Sequence, residues 1–201
     1  MLSYVNPTSL TLDPVTANPR LVLSADRTSA RLAKRQHVFP HNTKRFDLEL
    51  FVLGSEGFTS GRQYWEVETG NKTLCIVGVA QESVKRKGNV NLKPESGYWV
   101  LWLFPESDSA SFRSSSRAIH TQMEKQRKIG VFLDYEGGQV SFYNAGTMSH
   151  LHTFTHTFTE RVFPFFSLQP NDRQKNKAML KICGISGHLE EHPIISASCP
   201  L

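Results

Sequence analysis

Three histidines in one short stretch, His150, His152 and His156, are the side chains whose type and spacing best suggest metal chemistry. On a strand alternate residues share a face, so His150 and His152 form an HxH pair pointing the same way. Zinc accepts such a pair when a third ligand and a supporting shell of hydrogen bonds complete the site. His156 lies four residues beyond His152, about 13 Å along an extended strand, too far to share the ion. The pair reads instead as part of a solvated edge strand, and neither a metal nor any other cofactor is expected. Nucleophilic chemistry fares no better. Residues 105–116 hold six serines and two acids, but a hydroxyl attacks only beside a fixed base. There is no G-x-S-x-G elbow, and neither G-x-x-x-x-G-K-[ST] nor G-x-G-x-x-G occurs to cradle a phosphate. Function has to be argued from a site, and without one the chain is not expected to be an enzyme.

The aromatics offer a different chemistry, that of binding. In an extended reading Trp102 and Phe104 share a face and Trp99 takes the opposite one. Core packing is the default for an aromatic in a strand. Phe104, however, leads straight into the serine-rich stretch, which puts this strand end at a rim. Aromatics on a rigid scaffold beside adaptable loops are what binding hot spots are made of.

The formal net charge of the 201 residues is +5. The runs Lys85 to Lys87 and Lys125 to Lys128 are short, separate and without interleaved aromatics, so no nucleic-acid partner is expected. The longest apolar stretches, Leu74 to Ala80 and Tyr98 to Phe104, are strand-sized, and no membrane contact is expected. The opening residues lack the basic flank and apolar run of a secretory signal. Three cysteines, Cys75, Cys183 and Cys199, are too few and too scattered for a disulfide framework or a structural zinc site. Together these features predict a reduced, cytoplasmic protein.

Helical periodicity is almost absent. Val, Ile, Phe, Tyr and Trp fall in short bursts between Gly, Pro, Asn and Ser: Tyr64 to Val67, Leu74 to Ala80, Tyr98 to Phe104, Ile129 to Tyr135, Val140 to Tyr143, Val162 to Phe166 and Leu180 to Cys183. Such a pattern predicts an all-β sandwich or barrel with helix confined to a turn or two. Glu136-Gly137-Gly138 should close a hairpin between the fourth and fifth of these bursts. Residues 105–116 and 170–177 are expected to be loops, and 187–201 a weakly ordered tail. Trp65, Val67, Val77, Val79, Val131, Leu133, Phe142, Phe163 and Phe165 are the expected core.

Several segments, taken in order, resemble the PRY-SPRY (B30.2) family. They are Leu12-Asp13-Pro14 running on to Leu21-Val22-Leu23-Ser24, Val52-Leu53-Gly54, and Gly57 through Val67 with its Tyr64-Trp65-Glu66-Val67. Val77-Gly78-Val79-Ala80, Gly97-Tyr98-Trp99, Leu133-Asp134-Tyr135-Glu136, Ser141-Phe142-Tyr143-Asn144 and Phe163-Pro164-Phe165-Phe166 follow. Glu82 to Gly88 with Pro94 to Trp99 is similar to the subgroup at the C-termini of tripartite-motif (TRIM) ubiquitin ligases and butyrophilins. The resemblance implies a bent two-sheet antiparallel β-sandwich, with a leader over 1–9, a PRY segment over 10–60 and a SPRY segment over 61–186. It implies a protein-recognition module of innate immunity that selects the target of a TRIM-type ligase. Variable loops would form the binding surface, the ligase chemistry would sit in a RING domain, and the parent protein would dimerise through a coiled coil.

In similar domains that bind antibody constant regions, aromatics at the positions of Trp102 and Phe104 touch the partner. The matching further positions are Ile76 and Pro170, where that pattern has an Asp and a Phe. The expected surface is therefore a shallow, partly apolar patch around Ile76, Trp102, Phe104 and Pro170, with Phe112 and Asn171 added by the flanking loops. The alternative implied by the butyrophilin side is a pocket for a small phosphorylated metabolite, or a role in another immune receptor. Ile76 would then stand where a His meets the phosphate, and an aliphatic chain offers neither charge nor hydrogen bond. Cys75 occupies a position where similar proteins usually carry Trp, so bulk is expected to be missing beside Ile76.

Overall fold

The computed structural model describes residues 5, 8–70, 73–104, 110–114, 118–121, 127–169 and 179–184. The apolar bursts become strands because β-branched and aromatic side chains fit a pleated surface covered on one or both faces. In chain order they are β1 (Leu21–Leu23), β2 (Ser29–Leu32), β3 (Phe51–Leu53), β4 (Arg62–Thr69), β5 (Leu74–Gln81), β6 (Tyr98–Phe104) and β7 (Ala110–Ser114). Then come β8 (Ala118–Thr121), β9 (Arg127–Asp134), β10 (Gln139–Asn144), β11 (Ser149–Thr155), β12 (Val162–Gln169) and β13 (Met179–Ile182). Seven pair antiparallel in the order β1-β2-β13-β4-β9-β10-β11, and six in the order β3-β12-β5-β6-β7-β8. This is the expected two-sheet sandwich. Among the described residues the one helical element is a 3-10 turn at Pro94–Ser96, and no helix is long and apolar enough to cross a membrane.

The first β-strands of the chain are tied by polar turn chemistry. The Asp13 carboxylate accepts the Val15 amide (2.9 Å) and the Thr16 hydroxyl in turn accepts the Leu53 amide (3.0 Å). Asn18, buried at 2% exposure, accepts the Arg20 amide. The Leu-Asp-Pro to Asn-Pro motif is thus a pair of Asx-type turns. Lying just before β1, it ties the entry to one sheet to β3 of the other, with the Asp13 amide donating to the Leu53 carbonyl (2.9 Å) and the Asn18 amide to the Phe51 carbonyl (3.0 Å).

The hairpin read around Gly137-Gly138 forms as expected, with Val140 opposite Leu133 and Phe142 opposite Val131. Gly138 takes φ +64° and its amide reaches the Tyr135 carbonyl, a left-handed conformation that favours glycine. Val140 and Phe142 face the main core, while Tyr143 joins Tyr64 and Phe132 on the far side of that sheet. Gly78 has a different reason. A Cβ there would run into the Trp99 carbonyl and sit 2.8 Å from the Val100 Cα, so the Val-Gly-Val motif marks a close backbone approach between β5 and β6.

Both faces of the six-stranded sheet are covered. Its inner face, with Val77, Val79, Trp99, Leu101 and Phe166, meets Trp65, Val67, Val131, Leu133 and Phe142 of the other sheet in the main core. Its outer face carries a second cluster containing Phe51, Ile76, Tyr98, Val100 and Phe165, joined by Phe46, Val84 and Leu92 from the connecting segments. Seven of the nine expected core residues lie in the main core. Phe165 is buried in the second cluster instead, and Phe163 is only partly buried against it. Alternation explains this, because Phe163 and Phe165 leave the face that Val162, Phe166 and Leu168 occupy.

Two other expectations need correction. Residues 105–116 are not all loop, since Ala110–Ser114 forms β7 and pairs with β6. Serines satisfy a ladder with their backbones as well as any residue does, and a strand read from side-chain alternation alone is invisible there. Cys75 does not open space beside Ile76. It points to the opposite face and is fully buried in the main core. Burial pushes its thiol up to about 12, with the nearby Arg127 cation opposing. A neutral thiol is a poor nucleophile, so Cys75 should stay unmodified by iodoacetamide at pH 8 in the folded domain and react after unfolding. Mass spectrometry showing Cys75 alkylated as fast as a free thiol would contradict its burial.

At the edge of the seven-stranded sheet, β11 breaks register. Phe142 faces His152 while Tyr143 faces His150, leaving Leu151 as a bulge.

Candidate functional site

The outer face of the six-stranded sheet is built from alternate residues of β12, β5 and β6. Along one row Ser167, Ile76 and Trp102 stand opposite one another in register, followed by Arg113 on β7. At one end the face is thickly covered. Phe165 meets Phe51 and Tyr98 edge-to-face, with ring centroids 4.8 and 5.3 Å apart, and Phe46 meets Phe51 at 5.4 Å. The Tyr98 hydroxyl donates to the Lys85 carbonyl (3.2 Å), and burial holds the phenol above its ordinary range.

Towards the other end the cover thins. Ile76 is still 3% exposed, but Trp102 is only partly buried, packed against the second cluster. Leu74, Phe104 and Gln169, which end their strands at this side, are likewise intermediate. An apolar floor with two partly open aromatics at its margin can hold an apolar side chain of a partner and exclude water from it.

The end of β6 is fixed from inside. Arg127, 2% exposed at the start of β9, donates to the Phe104 carbonyl (2.7 Å), the Gly70 carbonyl (2.6 Å) and the Thr73 carbonyl (3.0 Å). Desolvation lowers its affinity for the proton, yet guanidinium remains charged in proteins. Three carbonyl dipoles take the place of a counter-ion, and they lock the last residue of β6 to the β4–β5 connection. No sequence motif pointed to this residue. Arg127 sits in the basic run Lys125 to Lys128, just before the Ile129 to Tyr135 burst, where it reads as one more solvated cation.

Of the expected site residues, Ile76, Trp102 and Phe104 are gathered on this face, with Ile76 serving as floor. Phe112 lies in β7 opposite Leu103, its side chain outside the described part. Pro170 and Asn171, the 170–177 loop and the 187–201 tail also lie outside the described residues.

The histidines do not converge. His150 bonds the Thr153 hydroxyl at 2.7 Å, His152 meets the Phe154 ring at 4.5 Å, and His156 lies past β11 against Trp99 at 4.7 Å. Among the described residues no three His, Cys, Asp or Glu side chains gather as a metal site. β11 is indeed a sheet edge with polar, exposed positions.

Comparison with known proteins agrees with this architecture. The family described as SPRY domain matches residues 62–181, and the SPRY-associated domain, PRY, matches 10–58. The chain is 48% identical over 176 residues to mouse E3 ubiquitin-protein ligase TRIM69, covering 88% of this chain and 35% of that protein. It is 43% identical over 187 residues to human erythroid membrane-associated protein, covering 93% of this chain and 39% of that one. The chain therefore spans little more than a third of these relatives. Among solved structures, the stonustoxin structure superposes with a TM-score of 0.72 at 32% identity, over 87% of this chain and 28% of that chain. The TRIM65 PSpry domain superposes with a TM-score of 0.67 at 24% identity, over 89% and 91%.

Proposed function

Since the chain belongs to the PRY-SPRY (B30.2) family, whose domains bind protein partners, we propose that it is the target-recognition domain of a TRIM-type E3 ubiquitin ligase of innate immunity. It works in the cytoplasm and holds a protein partner on the outer face of its six-stranded sheet. The observation that carries this reading is the pairing of Trp102 with Ile76 at the point where cover over an apolar face runs out. Phe104 extends the patch, and Pro170 and Asn171 complete it, while Phe112 stands in β7 opposite Leu103, one register position away from Trp102 and its partner Arg113. The PRY segment over 10–60 and the SPRY segment over 61–186 act as one unit. Ubiquitin transfer belongs to a RING domain of the parent protein, which pairs through a coiled coil. Identity of 48% to a TRIM ligase, against 43% to the erythroid membrane-associated protein, leans only slightly this way; the aliphatic Ile76 floor, which offers a phosphorylated metabolite no charged contact, supports the assignment more.

The test is affinity for a protein captured from cell lysate by the intact chain. Trp102→Ala should weaken binding by about thirtyfold, equivalent to about 2 kcal/mol, with the domain still folded. Because Trp102 also packs against the second cluster, Phe104→Ala provides a second variant at the open margin. Unchanged affinity in both, with folding intact, would place the site elsewhere.

A further inference from the structure

Between Arg27 and Phe46 the chain has five Lys and Arg residues and no Asp or Glu. Residues 34–41 are all exposed. At their centre Val38 is 96% and Phe39 47% exposed, among the few large apolar side chains left in solvent. The segment is nevertheless held in shape. Its His37 amide donates to the Pro19 carbonyl (3.0 Å), and Arg45 donates to the Pro14 and Ala17 carbonyls (2.9 and 2.7 Å). From the β5–β6 connection, Lys87 donates to the Asn42 and Arg45 carbonyls and Arg86 to the Lys44 carbonyl. These two cations thereby add their charge to the base of the loop.

Asp13 and Glu82 lie near enough to Arg86 to favour its charge, so the excess of positive charge rests on the acid-free 34–45 segment. Among the described residues the ion pairs are Arg62 with Asp134 and Lys128 with Glu66, and neither involves this surface. Asp47, next in the chain, accepts the Gly88 amide instead (2.8 Å). Cations around exposed apolar side chains, on a loop already ordered, make a surface complementary to something anionic and partly apolar.

We propose that the 34–45 loop, with Arg86 and Lys87 at its base, docks an acidic segment of a protein partner. The partner's carboxylates meet the cations and its apolar side chains cover Val38 and Phe39. This rests on the reading of the domain as a protein-recognition module and adds the charge of what it recognises. Two observations favour a peptide over other polyanions. The Arg45 guanidinium already lies 4.4 Å over the Phe39 ring, with His37 5.9 Å away, which leaves that ring poorly placed to stack a nucleic-acid base. The apolar tip is only two residues, Val38 and Phe39, too small to supply the broad apolar face with which a basic segment enters a bilayer.

The experiment is selection of random dodecapeptides displayed on phage against the intact 201-residue chain. Enriched peptides should combine Asp or Glu with Leu or Phe. Lys34→Glu with Arg35→Glu should lower their affinity by about tenfold or more, and raised salt should do the same in the parent. Val38→Ser with Phe39→Ser should cost about fivefold, with melting temperatures unchanged because these side chains are exposed. Absence of enriched peptides, neutral or basic winners, or indifference to the charge reversal would overturn the proposal. Tighter binding of phosphatidylserine vesicles or of oligo-dT than of any selected peptide would overturn it too. Acidic winners that need Lys34 and Arg35 but not Trp102 would leave it standing while removing the Trp102 site. Winners that need Trp102 alone would do the reverse.

Discussion

Trp65→Ala should destabilise the domain by about 3 to 5 kcal/mol, the range for deleting a buried large aromatic. The indole is 1% exposed in β4, opposite Val131 of β9, at the centre of the main core. It stacks on Phe58 with ring centroids 6.4 Å apart at 26°. β4 and β9 carry the middle of the seven-stranded sheet, so a void there touches both layers and has little freedom to collapse. The indole Nε1 has no hydrogen-bond partner, hence Trp65→Phe loses volume without losing a polar contact and should cost distinctly less. Urea denaturation of the three proteins would show the order. An alanine variant melting within a degree or two of the parent would remove Trp65 from the core.

Arg127→Ala should cost a similar amount, about 3 to 5 kcal/mol, for a different reason. Hydrogen bonds from a charged donor contribute about 1.5 to 3 kcal/mol each when their acceptors are left stranded, and Arg127 serves three carbonyls. The sum is reduced by the desolvation that the buried guanidinium itself carries. Arg127→Lys should recover only part of the loss, because one ammonium cannot span the Phe104, Gly70 and Thr73 carbonyls as a planar fork does. Hydrogen exchange gives the readout that plain destabilisation would not. Amides at the end of β6 and in the β4–β5 connection should exchange faster than those of the β9–β10 hairpin. Uniform exchange in the alanine variant would mean that Arg127 is ballast and not a clamp.

Much of this fold was legible because strands announce themselves through side chains with two different sides. Trp65 and Val67 against Glu66 and Glu68, and the Gly137-Gly138 turn, read correctly on inspection. What failed to show was structure held by backbone or by distant partners. β7 is serine-rich and carries no apolar alternation. Phe163 and Phe165 read as one core with Val131, since nothing in the sequence distinguishes a sheet covered on one face from a sheet covered on both. Cys75 suggests missing bulk beside Ile76, yet neighbours in a strand point apart and the two lie in different clusters. At the candidate site, Trp102 and Phe104 were visible as aromatics ending at a polar stretch. Arg127 and the acid-free segment before Phe46 were not, because one works through carbonyls that have no sequence signature and the other through what is missing.

The edges of the sandwich carry a further consequence. β1 and β3, which end the two sheets, are three residues long. β11, the seven-residue edge, is kinked at Leu151 and lined with polar side chains. A straight edge of that length would offer a row of unpaired amides to the next copy of the chain and invite cross-β stacking. With the ladder interrupted midway, β11 is a poor template for a second copy to extend this sheet.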